Sequence, residues 1–242
     1  MNAAQLDEVM MKQMLRAGTA PGRATLACAM ACRRWLWRRG LSAASIAKRA
    51  LDVAGSFVLL AALSPVFALI AIAIKLEDGG PLVFAQTRVG KFGELFKMYK
   101  FRSMCVNAEA RMAEVLALNQ HQAGVTFKVK SDPRITRLGR WLRKLSLDEL
   151  PQLYNVLVGD MSLVGPRPPV PREVALYTLA DRRRLNVKPG ITCFWQVGGR
   201  SELDFPQQVE LDVRYIERQS IWTDLWILCR TVPAVIAGKG AC

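Results

Sequence analysis

The 242-residue sequence has one histidine, His121, and six cysteines (Cys28, Cys32, Cys105, Cys193, Cys229, Cys242) with no CxxC pair among them. Zinc sites draw on paired cysteines and histidines, and disulfide scaffolds on dense cysteine spacing, so neither is expected here. Acidic residues are also scarce: 20 Asp and Glu stand against 34 Lys and Arg, a net charge of +14. That balance excludes an acidic soluble enzyme. It implies a polyanionic partner, which composition leaves open among nucleic acid, an anionic membrane surface and a phosphate-bearing substrate. A disordered tail is excluded as well, because 51% of the residues are apolar and disorder goes with low hydrophobicity. No internal repeat is visible.

The charge is unevenly spread. Residues 1–50 carry nine Lys or Arg against Asp7 and Glu8 alone. Trp35 and Trp37 lie inside the cluster Arg33, Arg34, Arg38 and Arg39. Interleaved indoles and guanidinium groups suit a bilayer headgroup layer, and they also suit single-stranded nucleic acid. The stretch from Ala24 to Cys32 has the look of a signal-peptide core, but the arginines that follow at once argue against export.

From Val53 to Ile74 run 22 residues without a charge. As a straight helix they would reach about 33 Å, the thickness of a hydrocarbon core. Ser64-Pro65 interrupts them near the middle, since proline has no N–H for the carbonyl of Ala61 and its ring crowds that turn. Six Lys or Arg lie within 28 residues on either side, so the positive-inside rule orients no crossing. A helix-break-helix dipping into one leaflet fits, with the Ser64 hydroxyl on the freed carbonyl; a kinked span is the alternative.

Beyond this run the texture is globular. LVFAQTRVG and LFKMYKFRSM predict two strands around a Gly90 to Gly93 turn. Residues 107–122 predict a helix capped by Asn107, and residues 134–145 a basic amphipathic helix bearing Arg137, Arg140, Arg143 and Lys144. Ser146 and Glu149 have capping-box spacing, which would set Asp148 in a first helical turn, ionised at neutral pH. A carboxylate so placed is a plausible nucleophile toward phosphorus, and Glu149 beside it suits a hard divalent cation such as Mg²⁺. Arg167 stands between Pro166 and Pro168, which restrict its direction, and Arg200 follows Gly198-Gly199. With Arg88 and Lys100 they describe a phosphate- or nucleotide-binding pocket for a multiply charged substrate.

The ordered blocks KRALDVAGSFVLLAALSP, GPLVFAQTRVG, KFRSM, LRKLSLDELPQLYNVLVGDMSLVGPRP and VKPGITCFWQVGGR resemble the bacterial sugar transferase family, over about residues 46–240. The resemblance implies an α+β, mostly helical protein. It would comprise a basic extension (1–45), a re-entrant membrane helix (46–78) with Lys48 and Arg49 at the headgroups and Ser64-Pro65 at the break, and a small cytosolic catalytic domain with few short strands (79–242). The implied activity is transfer of a sugar-1-phosphate from a UDP-sugar to polyprenyl phosphate at the cytoplasmic face of a bacterial inner membrane. It would proceed through a covalent phosphosugar on Asp148, with release of UMP and Mg²⁺ held by Glu149. Arg143, Arg167 and Arg200 match phosphate- or nucleotide-contacting arginines, whereas Gln196 and Asp212 fall in family blocks without an assigned role. Cys193, Phe194 and Gly198 depart from the family pattern and leave the sugar open. A homo-oligomer is left open too. No nucleic-acid partner is implied, although a membrane-attached nucleic-acid binder or a silent scaffold is the alternative reading.

Overall fold

The computed structural model describes residues 43–111, 132–198 and 203–237. Residues 48–242 form one compact unit, and those before it are a second, of which only 43–47, the first turn of α1, are described. The N-terminal Arg/Trp cluster therefore lies outside the described residues, as does His121.

Helix α1 (Ala43–Ala62) and helix α2 (Ser64–Asp78) meet at a 59° bend. Ser64 Oγ donates to the carbonyl of Ala61 at 2.8 Å, the acceptor that Pro65 cannot serve. Among the described residues no single helix is long and apolar enough to cross a membrane, whereas this bent pair is so by length and composition. Phe57, Val58, Leu69, Ile72 and Leu76 are exposed along it. Helix α2 ends at Gly79, whose φ of 68° places it in the left-handed region as its N–H reaches the Lys75 carbonyl.

The opposite side of α1 is bound to the rest of the unit. Lys48 Nζ lies 2.6 Å from Asp224 Oδ2 and also donates to Tyr215 Oη and to the Val164 carbonyl. Arg49 donates to the carbonyls of Val156 (2.6 Å) and Leu157 (2.8 Å). Asp52 accepts from Ser162 Oγ and from the Leu163 N–H, both at 2.9 Å. Lys48 and Arg49, expected at the headgroups, thus turn their side chains toward these partners. The cause is local: carbonyls at the end of a short helix have no partner of their own and attract a guanidinium fork.

Strands β1 (Val83–Val89) and β2 (Leu95–Phe101) form an antiparallel hairpin in register Val83↔Phe101 through Val89↔Leu95. A single 3₁₀ turn, Lys91–Gly93, joins them, as the sequence predicts. Residues 106–111 are turns rather than the start of a helix, and the rest of the helix expected over 107–122 lies outside the described residues. Helix α3 (Arg137–Lys144) occupies the predicted basic segment, with Thr136 Oγ1 accepting from the Gly139 N–H. A Cβ on Gly139 would fall 2.0 Å from the Ser103 carbonyl oxygen, so only glycine lets α3 lie against the chain beyond β2.

Helix α4 (Gln152–Val158) leads to strand β3 (Ser162–Val164), which pairs in parallel with β4 (Gly190–Thr192). Between them lie the short helix α5 (Pro171–Val174) and a 3₁₀ segment, Asp181–Asn186. Helices α6 (Phe194–Gly198), α7 (Phe205–Glu217) and α8 (Ile221–Ala237) complete the described elements. Met98, Leu153, Val156, Met161, Val164, Tyr215 and Ile227 form the main core; Ile70, Ile74, Phe101 and Leu142 form a second between α2, the hairpin and α3. Among the described residues the architecture is mixed and mainly helical, with two two-stranded sheets.

Candidate active site

Asp148 and Glu149 occupy a 3₁₀ turn, Leu147–Glu149, between α3 and α4. Pro151 explains why the turn is not α-helical: it has no N–H for the Leu147 carbonyl, which accepts instead from the Leu150 N–H at 3.3 Å. Ser146 takes a left-handed φ of 54° and makes no side-chain cap bond. The expected capping box is therefore absent. A three-residue turn also carries little of the dipole that was expected to keep Asp148 ionised.

Burial acts on Asp148 in the opposite sense. Its carboxyl is pushed above the ordinary 3.8, first by desolvation and then by the charge of Glu149, against the pull of Lys100 and Arg143. Glu149 behaves differently. Burial alone would raise it, but Lys100 and Arg167 outweigh that and hold it down at about 2. Two adjacent carboxyls thus have environments that drive them apart, a pattern typical of catalytic pairs.

Lys100, near the end of β2, sits across the pair, with Nζ 2.6 Å from Glu149 Oε1 and 3.8 Å from Asp148 Oδ2. Arg167 Nη1 approaches Glu149 at 3.9 Å. Arg167 follows β3 directly, where Gly165 and Gly190 let two backbones cross: a Cβ on Gly190 would fall 2.0 Å from the Gly165 nitrogen. Arg143, on the last turn of α3, donates from Nε to Ser103 Oγ at 2.9 Å, and burial lowers its pKa.

Arg88 is expected to bind phosphate, but its guanidinium is engaged elsewhere. It donates from Nε and Nη2 to Gln86 Oε1 and from Nη1 to the Pro168 carbonyl at 2.8 Å. Burial lowers its pKa to about 10, still well above neutrality. Arg88 therefore clamps the Pro-Arg-Pro segment as well as adding positive charge. Arg200 lies outside the described residues.

These groups line a cleft of about 1740 Å³ that extends from Asp148 and Glu149 to Leu59 and Leu63 on the bent helix pair. Gln196 stands with Lys100, Glu149 and Arg167 around a narrow recess beside it. Asp212 is elsewhere, paired with Arg184 at 2.5 Å. The sequence reading missed Gln152, which lines the same recess, and Ser103, which holds Arg143. Both lie inside the blocks that carry the family resemblance, KFRSM and LDELPQL, which was their signal.

Among the described residues no group of three or more His, Cys, Asp or Glu side chains is gathered to hold a metal ion. The adjacent oxygen donors of Asp148 and Glu149 suit Mg²⁺, which takes one or two carboxylates and completes its shell with water and substrate phosphates.

A family model described as bacterial sugar transferase matches residues 43–238. The chain is 49% identical over 197 residues to the galactosyl transferase CpsE of Streptococcus agalactiae, covering 81% of this chain and 43% of that protein. It is 43% identical over 197 residues to the undecaprenyl-phosphate galactose phosphotransferase of Salmonella typhimurium, covering 80% of this chain and 41% of that protein. It is 41% identical over 199 residues to the exopolysaccharide production protein ExoY of Sinorhizobium fredii, covering 81% and 88%. The chain thus spans less than half the length of the first two relatives and most of the third.

Proposed function

Because the chain belongs to the bacterial sugar transferase family, we propose that it transfers a sugar phosphate from a UDP-sugar to polyprenyl phosphate at a membrane surface, an initiating step of surface-glycan assembly. The observation that carries this reading is the pairing of a buried Asp148 with an ionised Glu149 under Lys100 and Arg167.

In the first step an Asp148 carboxylate oxygen attacks the β-phosphorus. A bond from that oxygen to phosphorus forms, the bridging bond to the α-phosphate breaks, and its electron pair leaves with UMP. In the second step a phosphate oxygen of the polyprenol attacks the same phosphorus and frees the Asp148 carboxylate. Both steps bring anions together, so Lys100, Arg143 and Arg167 offset charge while the rigid Pro-Arg-Pro segment orients the phosphates. Glu149, held ionised, is the residue that would hold Mg²⁺, which supplies further neutralisation of the diphosphate when bound.

Membrane attachment through α1 and α2, with the catalytic unit on the cytoplasmic side, completes the proposal. Its support is that the outer ends of both helices are fastened to one unit: Lys48 to Asp224 on α1, and Asp78 to Arg102 beyond α2. An apolar pair held this way returns to the side it left.

Intact-protein mass measurement after incubation with a panel of UDP-sugars tests the reading. A phosphosugar adduct is expected on the wild-type chain and none on Asp148→Asn. UMP release should require polyprenyl phosphate for turnover; full turnover by Asp148→Asn overturns the proposal.

A further inference from the structure

Lys100 bridges the two carboxylates on which any divalent cation at this site depends, with its closer contact on Glu149 at 2.6 Å. It is not a wandering surface lysine. The strand that carries it is held along both edges, by β1 on one and, just before Lys100, by the Asn155 side chain on Tyr99 N–H and Lys97 C=O on the other. Among the described residues, four cations act on the two carboxylates: Lys100, Arg88, Arg143 and Arg167.

A dication approaching that site alone meets a net positive field, and its best ligand is already paired. A diphosphate changes both conditions. Its negative charge cancels the excess, its oxygens complete the coordination of a hard cation, and they give the lysine another partner. A flexible ammonium with three donors can transfer between acceptors in a way that a bidentate guanidinium cannot.

We propose that Lys100 keeps Glu149 closed to divalent cations until a diphosphate enters, so that metal and diphosphate bind as one coupled event. This rests on the transferase reading above and extends it to the order of binding. Lys100 is thereby a counter-ion to the empty site and a phosphate ligand in the loaded one.

The test uses Mn²⁺ as a paramagnetic probe, titrated into the detergent-purified full chain with free ion counted by electron paramagnetic resonance. Wild type alone should bind Mn²⁺ weakly. Lys100→Met alone should bind at least ~10-fold more tightly, about 1.4 kcal/mol, and Lys100→Gln should reproduce the gain if the first variant folds poorly. Adding Glu149→Gln to Lys100→Met should erase it. Addition of UDP should strengthen Mn²⁺ binding more in wild type than in Lys100→Met, because the variant has no ammonium left to displace. Equal Mn²⁺ affinity in wild type and both Lys100 variants overturns the inference, as does a gain that survives Glu149→Gln. The phosphosugar adduct on wild type is read independently: its presence with a failed Mn²⁺ result leaves the transferase reading standing, and its absence removes that reading instead.

Discussion

The carboxamide of Asn155 occupies the outer edge of β2 beside Tyr99, accepting from the Tyr99 N–H at 3.0 Å and donating to the Lys97 carbonyl at 2.7 Å. One side chain thus stands in for a third strand. Its own carbonyl accepts from the N–H groups of Gly159, Asp160 and Met161, which closes α4. Asn155 lies on the helix that begins just after Glu149, and its partners, Lys97 and Tyr99, immediately precede Lys100 on the strand. The contact between Lys100 and the two carboxyls is therefore fixed by a fully buried amide on the far side of the strand.

Asn155→Ala should leave those strand groups without partners and cost about 2–4 kcal/mol, since each buried polar group left unpaired costs roughly 1–3 kcal/mol. Asn155→Asp should be worse, because it sets a carboxylate against the Lys97 carbonyl and the Asp160 side chain, now a partner at 3.1 Å. Denaturant unfolding in detergent reads both. A midpoint unchanged in Asn155→Ala would show that the amide does not hold the strand.

The environments of the two carboxyls set the acid side of the activity. In the proposed mechanism Asp148 attacks as the carboxylate, and burial raises its pKa above 3.8, so the rate should fall as pH drops through that raised value. Glu149, held at about 2, stays charged throughout this window. Removing the positive charge of Lys100 should move the acidic limb to higher pH, and Glu149→Gln should move it lower, in profiles of kcat/KM. Stability has the opposite dependence on the two groups. The raised Asp148 favours the folded state less as pH rises from 3.8 through its folded pKa, whereas the lowered Glu149 loses its contribution as pH falls from 4.5 toward 2.

Local rules made much of this legible in the sequence. The hairpin follows from its alternating residues and Gly-rich turn, and the bend at Ser64-Pro65 from a missing N–H, down to the hydroxyl that replaces it. Lys100, Arg143 and Arg167 gather as a cationic site because β2, α3 and β3 all end there. What spacing could not convey was competition for partners. Ser146-x-x-Glu149 has the spacing of a cap, but Pro151 three positions beyond Asp148 diverts the turn to 3₁₀ geometry. Lys48 and Arg49 have the composition of headgroup anchors, yet Asp224 and the orphan carbonyls of α4, more than 100 residues away, claim them. Arg88 likewise serves the Pro168 carbonyl across 80 residues.

The pairing of Lys48 with Asp224 predicts a non-additive pair of substitutions. Lys48→Met leaves a 1% exposed Asp224 with the Tyr215 hydroxyl as its one remaining side-chain partner among the described residues, and should cost about 3–5 kcal/mol. Asp224→Asn strands the ammonium less severely, because Lys48 keeps the Val164 carbonyl and is 17% exposed. The double variant Lys48→Met with Asp224→Asn should recover part of the loss. A thermodynamic cycle from unfolding in detergent measures the coupling, and a coupling energy near zero would mean that the pair is incidental.

The same fastening fixes what topology experiments should report. Lys48 ties the start of α1 to α8, while Asp78 and Glu77, at the end of α2, are tied to Arg102 and to the Leu138 N–H. Lys48 and Asp78 thus belong to one unit, and the 59° bend lies between them. Single cysteines placed at the exposed Ala50 and Pro81, in a background without other exposed cysteines, should react with an impermeant maleimide from the same side of sealed vesicles. Ser64→Ala should not alter that pattern, since Pro65 still blocks the Ala61 carbonyl. It should only leave that carbonyl unpaired in an apolar setting, at a cost of about 1–3 kcal/mol. Labelling from opposite sides would require one of the two fastenings to be broken in the membrane, and would replace the dipping hairpin with a kinked span.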